Sequence, residues 1–476
     1  MRPALRPGRG GDCWRGAATV ATVARGLRRR RLALARASRG LLAAIASSLC
    51  AMRSFVFCSS LLLTVASAVA QSATVDAPLW NGKDLSGWHG QRTMDPVKFA
   101  AMPADKRGKL LAEDAASVAK HWRCEDGELI NDGHGAFLTT DKEYGDAVFE
   151  LEYKTVAKAD SGIYLRETPQ VQIWDYTEAG GKWNIGADKG SGGLWNNKNN
   201  ERFPPACYDK PFGEWNRMSI MIIGERVWVT LNNHTTVNGV RMENYWDRTK
   251  PMPKQGRLQL QTHGGEIRFR NMSVRVLDGE SANQFLASSD FHAYMPAFNG
   301  TDFTGWQGAT DNYEIVDGAI RCKQGKGGNL FTNEVYQDFS VRCQFKVPPG
   351  GNNGLAMRYP GKGDPAYAGF ELQVLDNTAK KYANLKPYQY HGSAYGMAPA
   401  LRGYQRPVGQ WNFQEVTMIG SRVTVELNGF LILDADLKDL KSNLPKHVGK
   451  DNPAGHFGFC GHNDAVSFRD IRIRGL

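Results

Sequence analysis

The chain has little that would suit it to bind nucleic acid or to cross a membrane. Its formal net charge is +11, but residues 1–70 carry twelve arginines, no lysine and a single acid, Asp12. The rest of the chain holds 47 basic and 47 acidic residues, so no basic surface is left over for phosphate. Beyond residue 70 there is no run of about 18 apolar residues, the length that spans a bilayer. We therefore expect no nucleic-acid partner and no stable membrane insertion.

The first 70 residues lack the pattern of a folded domain. Residues 1–51 are rich in Arg and Ala, and we interpret them as an upstream leader that is not part of the mature protein. Residues 52–70 combine one positive residue, an apolar run and the small-x-small ending Ala68-Val69-Ala70. This layout is typical of a secretory signal peptide cleaved before Gln71. The sequence thus predicts export to the periplasm or the extracellular space.

Cysteine is scarce and odd in number after the signal peptide. Those that follow residue 70 are Cys124, Cys207, Cys322, Cys343 and Cys460. Small buried apolar side chains are the favoured interpretation, one disulfide is the alternative, and no spacing indicates a zinc site. Other cofactors, including a divalent metal ion, stay open at the level of the sequence.

What the chain does contain is an internal repeat. NGKDLSGW at residues 81–88 returns as NGTDFTGW at residues 299–306, and residues 144–166 align without a gap with residues 336–358. Further matching blocks follow in the same order, with the insertions between them rather than inside them. The sequence therefore predicts two copies of one structural module.

We expect each module to be a β-sandwich. The first module spans residues 76–278 and the second residues 295–476, with a linker at residues 279–294. Alternating apolar and polar runs broken by Gly, Asn and Asp indicate strands, whereas residues 102–122 have helical spacing and predict a helical insertion in the first module. Many strands and few helices favour an all-β jelly roll of two sheets, while an immunoglobulin-like sandwich would leave strands unplaced.

One predicted strand of the first module carries a row of polar side chains. Gln259, Gln261 and His263 point to the face opposite the leucines between them. Amides and an imidazole suit a wet concave face, and the two glycines after His263 leave room for a ligand. A solvated face without a task is the alternative.

A second polar strand occurs in both modules, after an arginine and before an aspartate. Its residues are Arg166, Gln170, Gln172 and Asp175 in the first module and Arg358, Glu371, Gln373 and Asp376 in the second. Gln170 and Gln172 share a face, but Asp175 has the opposite parity unless the strand bulges. The direction of Asp175 therefore stays open.

Gly-rich loops with aromatic, amide and carboxylate side chains form a third cluster. Aromatic faces stack on the C–H side of a pyranose, and amides and carboxylates pair with its hydroxyls. Single tryptophans are more often core residues, and we assign Trp88, Trp215, Trp306 and Trp411 to the core. The candidates for sugar contact are Trp174, Trp195, Asn196, Asn197, Glu243 and Tyr245 in the first module and Tyr390, Tyr395 and His462 in the second.

The motifs NGKDLSGW, TPQVQIWD, GADKGSGGLWNN, GEWN, ENYWDR and QTHGGEIRFRN occur in this order. With them the chain resembles the 3-keto-disaccharide hydrolase family, also described as 3-keto-glucoside-1,2-lyase/3-keto-2-hydroxy-glucal hydratase. The resemblance covers nearly all of the first module and, more loosely, all of the second. It implies concanavalin A-like sandwiches and an exported enzyme that acts on oxidised sugars.

The implied reaction is an elimination followed by hydration. A ketone at carbon 3 acidifies the proton on carbon 2, so a base can remove it and the glycosidic oxygen can leave carbon 1. The site then needs a base, donors for the enolate oxygen and an acid for the leaving group. In the first module we expect His263 or Glu266 as base, Arg166 and Gln172 at the oxyanion, and Asp175 as an orienting residue or metal ligand.

The second module departs from this pattern. It keeps a histidine, His462, but has Ala465 in place of Glu266 and Glu371 in place of Gln170. It fits either a sugar-binding partner or an active module whose carboxylate has moved.

The predicted function is cleavage of 3-keto-glycosides in the first module, with a non-catalytic lectin-like protein as the alternative. An ordinary retaining glycosidase needs two carboxylates about 5–5.5 Å apart. The polar strand from Gln170 to Asp175 offers only one acid, which makes that class the weakest of the three.

Overall fold

The structure is a computed structural model, and it describes residues 76–290 and 293–476. The leader at residues 1–51 and the signal peptide at residues 52–70 lie outside the described residues. Within the described ranges the chain is mostly β-strand, and no helix there is long and apolar enough to cross a membrane.

The first module consists of short antiparallel strands with one helical insertion. Its strands are β1 (Ala77–Pro78), β2 (Trp88–Gln91), β3 (Trp122–Glu125), β4 (Glu128–Asn131), β5 (Phe137–Tyr144), β6 (Ala147–Thr155), β7 (Asp160–Leu165), β8 (Thr168–Trp174), β9 (Asn216–Ile223), β10 (Arg226–Leu231), β11 (His234–Arg241), β12 (Gly256–Leu260) and β13 (Ile267–Val276). The insertion contains helices α1 (Pro96–Ala100) and α2 (Ala104–His121). Helix α2 confirms the helix predicted over residues 102–122.

The second module repeats this series of strands. Helix α3 (Gly279–Ser288) precedes β14 (Met295–Pro296), β15 (Trp306–Gly308), β16 (Tyr313–Val316), β17 (Ala319–Cys322), β18 (Gly327–Thr332), β19 (Phe339–Lys346), β20 (Asn352–Tyr359), α4 (Pro365–Ala368), β21 (Phe370–Leu375), β22 (Asn412–Ile419), β23 (Arg422–Leu427), β24 (Phe430–Asp436), β25 (His456–His462) and β26 (Ser467–Gly475). Short 3-10 turns lie in the loops at Glu178–Gly180, Trp183–Ile185, Ala187–Lys189, Thr310–Asn312, Lys380–Tyr382, Pro387–Gln389, Leu437–Asp439 and Gly449–Asp451.

Each module folds into two antiparallel sheets. In the first module the larger sheet has the order β11-β10-β9-β6-β13-β4-β3, with β1 beside β13, and the smaller sheet has the order β2-β5-β12-β7-β8. The second module has β24-β23-β22-β19-β26-β17-β16, with β14 beside β26, and β15-β18-β25-β20-β21. Every strand thus has a counterpart in the same sheet position, and the chain forms two tandem concanavalin A-like jelly-roll sandwiches, as predicted.

The burial pattern of the strands explains where a site can form. Strand β6 of the larger sheet alternates buried and half-buried residues from Phe149 to Thr155, as expected for a sheet with one face on the core and the other near water. Strands β7 and β8 of the smaller sheet are buried at every position, because loops cover their second face. Polar side chains of β8 therefore lie beneath loops, where they need hydrogen-bond partners.

The segment predicted as a linker, residues 279–294, contains helix α3. Asp278 caps it by accepting a hydrogen bond from the Ser281 backbone N–H at 2.7 Å. On its inner face Ala282 and Leu286 pack with Ile223 of the first module and Phe413 of the second. The helix therefore belongs to a small apolar core shared by both modules.

Buried ion pairs also join the two modules. Arg226 on β10 contacts the Glu426 carboxylate of β23 at 2.6 Å, and Arg241 bridges Glu426 at 3.0 Å and Glu225 at 2.7 Å. The Leu431 backbone N–H donates to the Glu225 carboxylate at 3.0 Å. Burial raises the pKa of Glu225 to about 7, although Arg241 works against this.

All five cysteines after residue 70 are free thiols. Cys322, Cys343 and Cys460 are buried, as expected for small apolar side chains, and Cys124 is half-buried. Cys207 is exposed, so the expectation of a buried side chain was wrong there.

Candidate active site

A cavity of about 490 Å³ opens over the smaller sheet of the first module. Strands β7 and β8 and the segment after β12 line it from the sheet, and loops with aromatic side chains line it from the other side. The sequence-predicted candidates that line it are Gln170, Gln172, Trp174, Trp195, Asn196, Tyr245, Gln261 and His263. They come from distant parts of the chain, so the fold brings the three predicted clusters together.

The centre of the cavity is a carboxylate–imidazole pair. The Asp160 backbone N–H donates to the Gly264 carbonyl at 2.7 Å, which fixes the start of β7 beside the turn after His263. The Asp160 carboxylate then lies 2.8 Å from His263 Nδ1. Asp160 is 8% exposed, whereas the His263 side chain is 61% exposed. A carboxylate at Nδ1 holds a proton there and leaves Nε2 as the basic nitrogen.

A chain of amides holds the carboxylate in place. Gln172 Nε2 donates to Asp160 Oδ1 at 2.8 Å, and Gln170 Nε2 donates to Gln172 Oε1. The Lys182 ammonium pairs with Asp160 Oδ2, the same oxygen that faces His263. The cavity therefore combines an imidazole, a carboxylate and an ammonium group within one hydrogen-bonded group.

Two further polar groups are suited to a ligand with hydroxyls. Gln261 Oε1 is buried and lacks a hydrogen-bond partner among the described residues, which is costly unless a ligand or water donates to it. Burial raises the pKa of Tyr164 to about 12, so its phenol stays protonated and can donate. Both side chains line the cavity.

Aromatic rings form the walls of the cavity. Trp174 and Trp195 meet edge to face with ring centroids 5.2 Å apart, and the Arg202 guanidinium lies 3.9 Å from the Trp195 ring centroid. Tyr245 and Trp246 form a second edge-to-face pair at 4.9 Å. Such rings offer apolar faces to a sugar ring, with few rotamers to lose on binding.

The two arginines that occupy the same position in both copies of the repeat, Arg166 and Arg358, lie away from the cavities. Arg166 is 2% exposed and donates to the backbone carbonyls of Gly224 at 2.6 Å and Pro253 at 2.8 Å. Its φ of 54° places it in the β7–β8 turn, where strand alternation ends, so the expectation that it faces the substrate does not fit its contacts. Arg358 has a φ of 47° and donates to the Gly420 carbonyl at 2.7 Å in the same way.

Glu266 also points away from the cavity. Its carboxylate accepts hydrogen bonds from Arg268 at 2.7 Å and Arg123 at 3.3 Å, next to β13 in the larger sheet. Partial burial raises the pKa of Glu266, but the two arginines lower it by more, so that the pKa lies below its usual range. An ion-paired carboxylate on this sheet does not fit the role of base, which leaves His263 as the candidate.

The two aspartates after the polar strands hold turns. Asp175 accepts hydrogen bonds from the backbone N–H groups of Lys158 at 2.7 Å and Thr177 at 2.8 Å. Asp376 accepts from Gly350 at 2.8 Å in the corresponding turn. The open question of their direction is thus resolved in favour of the loops rather than the cavities.

Asn197 and Glu243 shape the wall without lining the cavity. Asn197 Nδ2 donates to the Glu201 carbonyl at 2.9 Å. The Glu243 carboxylate accepts from the backbone N–H groups of residues 198–200 and pairs with Arg248. These contacts fix the loop that follows Trp195.

The second module has a smaller cavity, of about 260 Å³, at the equivalent place. The predicted residues that line it are Glu371, Gln373, Tyr395 and His462. Tyr390 lies outside it and donates its hydroxyl to the carbonyls of Tyr382 at 3.0 Å and Ala383 at 3.1 Å. Arg358 and Asp376 also lie outside it, as described above.

Comparison with known proteins agrees with the repeat. The family model of the 3-keto-alpha-glucoside-1,2-lyase-like domain matches residues 76–275 and again residues 293–474. The chain belongs to this family, in two tandem copies. A relative from Bacteroides thetaiotaomicron, named 3-keto-disaccharide hydrolase, is 28% identical over 231 residues, which cover 39% of this chain and 80% of the relative.

Solved structures of single sandwiches resemble parts of the chain. A candidate glycosyl hydrolase from Parabacteroides distasonis is 26% identical, covers 38% of this chain and 99% of its own, and has a TM-score of 0.35. The carbohydrate binding module CBM66 from Bacillus subtilis is 14% identical, covers 36% of this chain and 96% of its own, and has a TM-score of 0.25. At these TM-scores neither likeness bears on function.

Two charged residues of the first cavity, Asp160 and Lys182, are absent from the sequence prediction. Asp160 lies on the same face of β7 as Gly162 and Tyr164, and this alternation was the sequence signal that could have placed it in the cavity. Lys182 lies in an irregular loop, where no periodicity could indicate it. Among residues 76–290 and 293–476, no three His, Cys, Asp or Glu side chains are grouped as metal ligands.

Proposed function

We propose that the chain cleaves 3-keto-glycosides and that the cavity of the first module is the active site. The observation that carries this proposal is the His263 imidazole held by Asp160, with Lys182 beside it, in a cavity walled by aromatic rings. Membership of the family and the name of the Bacteroides relative support the substrate class.

The first step is removal of the proton on carbon 2. His263 Nε2 takes this proton, and the electrons of the C–H bond move toward the carbonyl at carbon 3 to give an enolate. Asp160 keeps the proton on Nδ1 and stabilises the imidazolium that forms. The Lys182 ammonium lies at this pair and lowers the energy of the negative charge on the enolate oxygen.

The second step is loss of the glycosidic oxygen from carbon 1. The enolate re-forms the carbonyl, a double bond forms between carbons 1 and 2, and the C–O bond to the aglycone breaks. The leaving oxygen takes back a proton from the His263 imidazolium, which restores the base. Water then adds to the enone, with its hydroxyl on carbon 1 and its proton on carbon 2, so the net change is hydrolysis.

The residues that line this cavity support elimination over ordinary glycosidase chemistry. Asp160 is the only carboxylate among the described residues that line it, and it is already shared by an imidazole and an ammonium group. A retaining glycosidase needs two carboxylates about 5–5.5 Å apart at the scissile bond. A ketone next to the reacting carbon removes that requirement.

The test is cleavage of a 3-keto-glucoside and of its unoxidised parent by the wild-type chain and by variants. We expect the keto sugar alone to be cleaved, and His263→Ala to lower kcat by about 10²–10⁴-fold, the usual contribution of a general base. Asp160→Asn should lower kcat as well, because it removes the acceptor at Nδ1.

The matched control is another histidine–aspartate pair of the first module. His89 Nδ1 lies 2.7 Å from Asp141 Oδ1, outside the cavity, and His89→Ala should leave kcat unchanged. Cleavage that survives His263→Ala but not His462→Ala would move the activity to the second module. Binding of both sugars without turnover would make the protein a lectin.

We also propose that the protein is exported, on the basis of the signal-like pattern at residues 52–70. Expression of the full chain in a Gram-negative host, followed by cell fractionation, tests this. A periplasmic product whose N-terminus is Gln71 is the expected result. An uncleaved product retained in the cytoplasm contradicts it.

A further inference from the structure

The second cavity lies at the same place in its module as the first, but its carboxylate comes from the neighbouring strand of the smaller sheet. Asp160 at the start of β7 corresponds to Asn352 at the start of β20, and Gln170 on β8 corresponds to Glu371 on β21. The amide link is kept, since Gln373 Nε2 donates to Asn352 Oδ1 at 2.6 Å. Each cavity thus pairs one imidazole with one carboxylate, but the carboxylate comes from a different strand.

The Glu371 side chain is buried, and one of its carboxylate oxygens lacks a hydrogen-bond partner among the described residues. It is 5% exposed, it lines the cavity, and its Oε1 has no hydrogen-bond partner among the described residues. Oε1 lies 3.7 Å from His462 Nε2, which is an ion-pair distance but too long for a hydrogen bond. One hydroxyl group of a ligand can therefore contact both atoms.

The backbone around Glu371 is built to hold it there. Gly354 on β20 pairs with Gln373 of β21, and a Cβ on Gly354 would lie 1.9 Å from Glu371 Oε1. At the equivalent Gly162 of the first module the nearest atom would be 3.0 Å away. Glycine at position 354 thus leaves the room that the Glu371 side chain occupies in this cavity.

The charges of the two cavities differ. The first has Lys182 at its carboxylate, whereas none of the described residues that line the second is Lys or Arg, and Asp364 adds a second acid there. An enolate oxygen would meet carboxylates in the second cavity instead of an ammonium group. Carboxylates accept hydrogen bonds from neutral hydroxyls without such a penalty.

The size of the second cavity limits its ligand. At about 260 Å³, against about 490 Å³ for the first, it has room for roughly half as much ligand. Tyr382 and Tyr395 line it, and Gln389 Nε2 donates to the Tyr395 hydroxyl at 3.0 Å. One sugar ring, with aromatic contacts and several hydroxyl partners, fits these features.

We propose that the cavity of the second module binds a single neutral, unoxidised pyranose ring, with Glu371 and His462 as hydroxyl partners. This site does not form an enolate and is separate from the active site proposed for the first module. The second module therefore holds a sugar while the first module does the chemistry. The binding does not depend on turnover in the first module, so each proposal can fail alone.

The test reads the two sites separately through their histidines. Side-chain ¹H–¹⁵N NMR spectra of the full chain, with His263→Ala and His462→Ala for assignment, are recorded during a titration with methyl α-D-glucopyranoside. We expect the His462 signals to shift saturably, and Glu371→Gln to raise the Kd read from them at least tenfold. Glu314→Gln, on the outer hairpin of the same module, should leave that Kd unchanged.

Gly354→Ala provides a second variant that keeps the carboxylate but displaces it, and it should raise the Kd as well. Thermal unfolding of each variant checks that the module is folded. The proposal is overturned if the His462 signals do not shift, or if folded Glu371→Gln binds as tightly as the wild type. It is also overturned if keto-glucoside cleavage is lost in Glu371→Gln but kept in His263→Ala, because the second cavity would then be the catalytic one.

Discussion

Hydrogen-bond partners separate the side chains that serve the cavity from those that hold the fold. Asp160 and Arg166 stand six positions apart on one hairpin and are both buried. The Asp160 carboxylate contacts His263 and Lys182, whereas the Arg166 guanidinium donates hydrogen bonds to backbone carbonyls. Charge and burial alone do not tell the two uses apart, but the identity of the partner does.

His391 offers a test of burial at a single residue. It lies inside the second module, where neither ring nitrogen has a hydrogen-bond partner among the described residues, and burial lowers its pKa to about 3 from the usual 6.5. Between these values the unfolded chain binds a proton that the folded chain does not. The free energy of unfolding should therefore fall as the pH falls from 6.5, by at most about 1.4 kcal/mol per pH unit from this residue.

His391→Phe isolates this contribution, because a phenyl ring cannot take up a proton. Urea unfolding of both proteins at several pH values between 4 and 8 measures it. The variant should gain stability relative to the wild type as the pH drops below about 6.5. At pH 8, where histidine is neutral in both states, the difference reports packing alone. A difference that stays constant with pH would contradict the assignment.

The sequence predicts single site residues where strand alternation is regular. Gln170 and Gln172 could be placed in the cavity because they lie within the continuous strand β8. His263 lies beyond the end of β12 at Leu260, but the alternation continues far enough for it to line the cavity together with Gln261. Asp160 begins its strand directly after a loop, and Arg166 sits in a turn with positive φ. Parity has no meaning in such a turn, which is why Arg166 was misplaced. Asp160 was missed because its parity with Gly162 and Tyr164 was its single signal in the sequence.

Hairpins, together with helix α3, bring the two modules into contact. The β9–β10 turn has Gly224 with a φ of +60°, and a Cβ there would lie 2.4 Å from the Gly429 carbonyl carbon of the second module. The corresponding β22–β23 turn has Gly420 with a φ of +55° and nothing within 4 Å. Both turns thus contain a glycine with positive φ, but Gly224 lies against the other module and Gly420 has open space around it.

This pair of turns gives a matched prediction. Both Gly224→Ala and Gly420→Ala force alanine into the left-handed region, which costs about 1–2 kcal/mol. Gly224→Ala should cost about 1–3 kcal/mol more, because the new methyl group collides with the second module. Chemical unfolding measures both values. Equal losses in the two variants would mean that the turn is not held against its neighbour.

Most elements follow from the sequence, and the exceptions have a common cause. The strands and helix α2 were predictable because their burial depends on local alternation. Half-buried Trp215 and Trp411 were wrongly assigned to the core: each lies under cations, with Arg270 and Arg469 about 4 Å from the ring centroids. Helix α3 likewise depends on contacts from both modules, which no local pattern contains.

At the scale of the whole molecule, buried charges couple the two sandwiches. Arg226 pairs with Glu426 across the interface, and Glu426 is almost fully buried. The corresponding residue of the second module, Arg422, pairs with Asp434 on an adjacent strand in solvent. The same position in the repeat therefore serves the interface in one copy and the surface in the other.

Replacing these arginines tests the coupling. Arg226→Met should lower the free energy of unfolding by about 3 kcal/mol, because it takes a partner from a buried carboxylate. Arg422→Met should cost less than about 1 kcal/mol, as exposed pairs do. Calorimetric unfolding measures the two losses. A small loss for Arg226→Met would show that Arg241 alone satisfies Glu426.

The carboxylate beside the imidazole comes from Asp160 on β7 in the first cavity and from Glu371 on β21 in the second. This difference bears on how the two copies diverged. Moving the carboxylate from its place in the first cavity to its place in the second takes two changes, an aspartate to an amide at one strand start and an amide to a glutamate on the next strand. Either change made first leaves the imidazole with no carboxylate or with two. Both intermediates are poor versions of either site, so selection would act against them. Under the functions proposed for the two cavities, electrostatics keeps the copies on different evolutionary paths, and we expect neither to replace the other after a loss.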